Sequence, residues 1–137
     1  MLHTDAVVAG MRSPSGASAA LLLAAAEHRF TMCANLAVML EYEAVCSRPE
    51  RRAAAELTEV ELGIFLDALG AIVEPVPTRF LWRPRLRDPD DEMVLEAAVN
   101  GRADAIVTFN RRDYAAVAPS FGLEVLLPRD ALARLKG

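Results

Sequence analysis

Cysteine and lysine are nearly missing from this chain, and each scarcity removes a class of protein. Two cysteines among 137 residues, Cys33 and Cys46, are too few and too widely spaced for a zinc motif, and read as small, reduced core residues. The sole lysine, Lys136, stands beside the last residue. That argues against a phosphoacceptor domain, which collects acids at strand ends but needs a lysine next to them. No apolar run approaches the ~20 residues that cross a bilayer. The opening MLHTDAVVAGM has neither a charged n-region nor a cleavage site, so a soluble, cytoplasmic protein is expected. A net charge of -4 does not by itself suggest nucleic acid, as a basic sheath would. Internal repeats, low-complexity tracts and linkers are missing too, and residues 1–137 read as a single domain.

What is present is an ordinary globular balance, 53% hydrophobic and 25% charged, at a length sufficient for a proper core. Short apolar runs alternate with helical segments, the pattern of an α/β fold with a mainly parallel sheet. Five runs are expected to be strands: AVVAGM, FTMCA, AIVEPV, ADAIVTF and LEVLLP. Helices are expected over ASAALLLAAAEHR, LAVMLEYEAVCSR, RRAAAEL, TEVELGIFLDAL and the stretch after DPDDEM, with a short one at the C-terminus. Thr58, with Glu61 three residues on, reads as a capping box. The expected architecture is a three-layer α/β/α sandwich around a five-stranded, mainly parallel sheet.

The segment RDPDDEM crowds Asp88, Asp90, Asp91 and Glu92 directly before the apolar run VLEAAV. One reading is a helix start. Pro89 suits the first helical position, Asp88 the N-cap and Asp91 the third helical residue, where acids complement the helix dipole. Helical spacing also aligns Asp91 with Val94, Leu95 and Ala98 on the apolar stripe, with Glu92 and Glu96 on the other face. A carboxylate aimed inward needs a partner, either an arginine or a cation. The strand in DAIVTFNRRD ends in Thr108, Asn110 and, shortly after, Asp113, and ligand sites in open α/β sheets lie beyond such carboxyl ends. His3, Thr4 and Asp5 border the first apolar run. On LAVMLEYEAVC, Glu41 and Glu43 flank the apolar stripe from opposite sides, and periodicity does not choose between them.

In order and spacing, DAVVAGMRSPSGAS, LEYEAVCSRPE, RDPDDEMVLEAAVNGRADAIVTFNRRD and LEVLLP resemble a PIN domain. The likeness covers nearly the whole chain and is greatest to bacterial toxin components of toxin–antitoxin systems. It implies a PIN-like α/β/α sandwich and a ribonuclease dependent on Mg²⁺ or Mn²⁺, with acids gathered near the carboxyl edge of the sheet. Carried over by position, the helix glutamate is Glu41. The acid opening the DEMVLEAA helix is Asp91, with Asp88 beside it, and the polar element after the strand is Thr108, Asn110 and Asp113. Glu41 and Asp91 are then expected as metal ligands, Asp5 as a ligand or outer acceptor, and Asp113 as a ligand or water-orienting base. Thr108 and Asn110 would position substrate or water. The implied partners are an RNA substrate, a small antitoxin protein and a second copy of the chain in a homodimer.

One position departs from the pattern. Where the family's first strand ends in Asp-Thr-Asn or Asp-Thr-Asp, this chain has His3-Thr4-Asp5, so His3 takes the place of the leading catalytic Asp. Imidazole suits zinc or copper better than Mg²⁺, which prefers hard oxygen ligands. Impaired activity is therefore an expectation of the sequence itself, and a non-catalytic module that binds RNA or an antitoxin is the alternative. Phosphate contacts would come from Arg48, Arg51, Arg52, Arg83, Arg85, Arg87, Arg111 and Arg112, eight of the 15 basic residues. Trp82, beside them, is either a base-stacking or a core aromatic.

Overall fold

The computed structural model of the protein describes residues 1–77 and 86–136. Trp82, Arg83 and Arg85 lie outside the described residues. The chain runs α1 (Thr4–Arg12), α2 (Ala17–Ala26), β1 (Cys33–Ala34), α3 (Leu36–Cys46), α4 (Pro49–Ala54), α5 (Glu59–Ile72) and β2 (Glu74–Pro75). After 78–85 come α6 (Pro89–Asn100), β3 (Ala105–Val107), β4 (Glu124–Leu126) and α7 (Pro128–Lys136). Two short 3₁₀ turns, Arg111–Asp113 and Ala118–Phe121, connect β3 to β4.

Every strand pairing is parallel, as the alternating pattern requires, but the expected five-stranded sheet is not seen among the described residues. Two two-stranded pairs form instead, β1 with β2 and β3 with β4. A single bridge adds Leu2 beside Val107. It is held by the Val107 amide on the Met1 carbonyl and the His3 amide on the Val107 carbonyl, each 2.9 Å. The Thr108 amide reaches the Leu126 carbonyl on the other side at 2.9 Å. Residues 1–3, β3 and β4 therefore lie side by side, with His3 and Thr108 at their carboxyl ends.

The largest correction concerns AVVAGM, which is helix and not strand. Thr4, Val7, Val8 and Met11 are all buried on α1, and their spacing is the i, i+3, i+4, i+7 stripe of an amphipathic helix. His3 is extended (φ −65°, ψ 154°) and caps the helix by accepting the Asp5 amide at its Nδ1. AIVEPV is shortened from its start: α5 runs through Ile72 and leaves β2 only Glu74 and Pro75. Proline has no N–H for a ladder, so the pairing rests on Glu74 and Val76 donating to Met32 and Ala34 at 2.8 and 2.9 Å. The capping box forms as expected, Thr58 and Glu61 exchanging hydrogen bonds at 3.0 and 3.1 Å.

The core gathers around the strands, with Leu2, Val7, Val38, Tyr42, Leu95 and Ile106 fully buried. Cys33 and Cys46 are buried free thiols in it, and burial pushes the Cys46 thiol up to about 11. No helix among the described residues is long and apolar enough to cross a membrane.

Candidate active site

The site is assembled from three parts of the chain. His3 and Asp5 come from the first segment and the start of α1, Asp91 from the first turn of α6, and Thr108 to Tyr114 from the loop after β3. Asp88 caps α6 by accepting the Asp90 amide at 2.9 Å, with Pro89 at the first helical position. This cap fixes the phase of the helix and so turns Asp91 inward, where its side chain is only 15% exposed. The helix-start reading holds for Asp88, and Asp91 points inward as its helical phase predicts, but toward a histidine.

Asp91 meets neither an arginine nor a metal cluster among the described residues. Its Oδ1 lies 3.0 Å from His3 Nε2, and His3 Nδ1 lies 3.3 Å from Asp5 Oδ1 on the other side. The imidazole stands between the two carboxylates. Each acid is held by further donors. Asp5 Oδ2 accepts the Thr108 hydroxyl at 2.8 Å and the Phe109 amide at 3.0 Å. The buried Tyr114 hydroxyl lies 3.1 Å from the Asp91 carbonyl and 3.4 Å from Oδ1, and its ring meets His3 edge-on at 6.1 Å. The Thr108 oxygen also accepts the Asn110 amide at 3.1 Å.

Charge follows from this geometry. Burial by itself would lower the His3 pKa, but Asp5 and then Asp91 outweigh it and raise it to about 9. Burial would likewise raise Asp5. The His3 hydrogen bond and charge, with the Thr108 and Phe109 donors, hold its carboxyl below the usual value instead. The ring has two competing uses for Nδ1. Unprotonated, it accepts the Asp5 amide at 3.1 Å; protonated, it donates toward Asp5 Oδ1, a buried oxygen with no other hydrogen-bond donor among the described residues. Two flanking carboxylates favour the second arrangement, because an unpaired buried carboxylate oxygen costs more than one free amide at a helix start. At neutral pH the site is acid–imidazolium–acid.

The other expected site residues are not drawn into this group. Glu41 is half-buried on α3 and forms no hydrogen bond or ion pair with His3, Asp5 or Asp91. Asp88 is committed to its cap, and Asp113 is exposed in the 3₁₀ turn. Two residues not foreseen from the sequence do matter. Tyr114 fastens the loop to Asp91, and Tyr42 donates a short hydrogen bond to the Leu2 carbonyl, holding the segment that carries His3. Tyr114 follows a 3₁₀ turn and has no periodic signal, and Tyr42 lies on the apolar stripe of α3 like any core aromatic.

As arranged, these acids do not fit a Mg²⁺ ion, which needs several hard oxygen ligands in close octahedral array. No three His, Cys, Asp or Glu side chains among the described residues share such a geometry, and the imidazole fills the space between Asp5 and Asp91. A family model described as PIN domain matches residues 1–112, a span that holds His3, Asp5, Glu41, Asp91 and Asn110 and stops short of Asp113. No curated protein and no solved structure matches the chain.

Proposed function

The chain belongs to the PIN domain family, whose members are in general nucleases, and from that premise we propose a ribonuclease site of toxin–antitoxin type that His3 holds closed. The observation that carries the proposal is the placement of the imidazole, 3.0 Å from Asp91 and 3.3 Å from Asp5. A protonated ring there supplies internally the positive charge that two neighbouring acids otherwise need from a cation. Asp5 and Asp91 are the central carboxylates of this reading, with Glu41, Asp88 and Asp113 as flanking acids and Thr108 and Asn110 orienting substrate or water. Mg²⁺ or Mn²⁺ is the proposed cofactor of the opened site. RNA is the proposed substrate, and the proposed setting is cytoplasmic, with a small antitoxin protein and a second copy of the chain as partners.

The test is His3→Asp. Aspartate restores a negative oxygen ligand and withdraws the ring, so the variant should cleave a mixed RNA pool with Mg²⁺ or Mn²⁺ at least ~100-fold faster than the parent, the scale on which a misplacement of ~1 Å acts. Chelator should abolish the gain. If the variant cleaves no faster than the parent with either metal, the nuclease reading falls. A second reading is favoured by the same ion pair: with its acids neutralised, the fold serves as a binding module for RNA or for an antitoxin. RNA binding by parent and variant alike, without cleavage by either, is its signature.

A further inference from the structure

Resting on the RNA-directed reading of the site, we infer that Phe109 is the base-stacking residue of the chain, and that its ligand is a single-stranded, base-bearing polynucleotide. Phe109 is 51% exposed although it directly follows buried Ile106, Val107 and Thr108 at the end of β3. Its position is fixed from both ends of the loop. The Phe109 amide is bound by Asp5 at 3.0 Å, and the Thr108 hydroxyl by the same carboxylate at 2.8 Å. Five residues on, the buried Tyr114 hydroxyl is anchored on Asp91 at 3.1 Å.

An apolar ring left in water costs free energy, and a loop free to move would fold it inward. This loop is not free, because the Asp5 carboxylate holds the Phe109 amide on one side and the Asp91 main-chain carbonyl holds the Tyr114 hydroxyl on the other. The segment between the anchors also carries Arg111 and Arg112, both exposed and without an ion pair among the described residues. An aromatic ring beside unpaired guanidinium groups is the combination that takes single-stranded nucleic acid, the ring meeting a base face and the cations the phosphates. A rigid platform loses little entropy when a base settles on it. Asp5 thus has a second part, as a positioning residue for the platform.

Binding should be measured in chelator by fluorescence anisotropy, with labelled oligoadenylate and an abasic oligonucleotide of the same length. The parent should bind the base-bearing strand more tightly. Phe109→Ala should weaken that binding roughly 5- to 150-fold, the range a single base–aromatic stack supports, and leave the abasic strand unaffected. Phe109→Trp should keep the preference for bases and Phe109→Leu should lose it. If the parent prefers bases and Phe109→Ala keeps the full preference, the stacking role is overturned while the RNA reading stands. Equal binding of both strands by the parent also overturns it. If the parent binds neither strand, the stacking role and the RNA reading fall together.

Discussion

His3 occupies the position from which most of the local chemistry follows. Its pKa is raised from the ordinary ~6.5 to about 9, so its ion pairs contribute fully below about pH 6.5 and are lost as pH rises through about 9. Asp5 moves the other way, and its contribution is lost only as pH falls through its lowered value. Thermal melts should therefore show the parent losing on the order of 1–3 kcal/mol across the alkaline window. His3→Asn keeps a capping side chain but cannot be charged, and should melt at nearly the same temperature throughout that window. A parent whose stability does not change there would show that the ring is neutral. Asp91→Asn probes the same pair from the other side. It keeps a side chain for Tyr114 and removes the charge, so the His3 titration followed by NMR should move down toward the ordinary value.

Local sequence rules account for most of the helices. On α1, Thr4, Val7, Val8 and Met11 form an amphipathic stripe that a β-rich composition disguises, since valine favours strands wherever packing permits. The stripe is supported by Asp5, an acid in the first turn, and Arg12, a base in the last. Two glycines show where element packing is tight. A methyl group at Gly101, just past α6, would meet Val76 Cγ2 at 2.9 Å and Cys33 Sγ at 3.0 Å. Gly63, inside α5, has nothing within 4 Å. Gly101→Ala should cost ~1–3 kcal/mol by overpacking, while Gly63→Ala should gain ~0.5–1 kcal/mol by stiffening the helix. Urea denaturation of both variants checks the pair. A Gly101→Ala protein as stable as the parent would mean that α6 does not abut β1 and β2 this closely.

Across the whole molecule, an acidic total coexists with arginines that adjoin the site residues in sequence. Arg52 is engaged with Glu59 at 3.2 Å, and Arg134 with Glu124. Arg48, Arg51, Arg87, Arg111 and Arg112 have no ion pair among the described residues. Local rather than net charge then governs an encounter with a polyanion. Binding of single-stranded RNA should weaken with salt, and Arg111→Ala with Arg112→Ala should flatten the slope by ~0.7 for each phosphate that is no longer neutralised. Filter binding over a range of salt concentrations checks this, and an unchanged slope would remove both side chains from the path of the phosphates.

The order of elements after the first, the capping box at Thr58, the Asp88 cap and the inward phase of Asp91 were all legible in the sequence, because each depends on neighbours within a turn or two. So was the departure at His3, visible as soon as the order of motifs was set against the PIN pattern. Strand pairing was not legible. Five apolar runs looked like strands, yet long-range hydrogen bonds are what decide which runs pair, and AVVAGM found its burial as a helix. Nor could the sequence tell what answers the charge of Asp91. Eighty-eight positions separate His3 from Asp91, and only the fold brings Nε2 to 3.0 Å from the carboxylate. Among the described residues Glu41 forms no hydrogen bond or ion pair with that group, although the resemblance sets them together. Residue types and local spacing prescribe helices and caps; which charge neutralises which depends on contacts between distant segments, and those exist only once the chain has closed around its core.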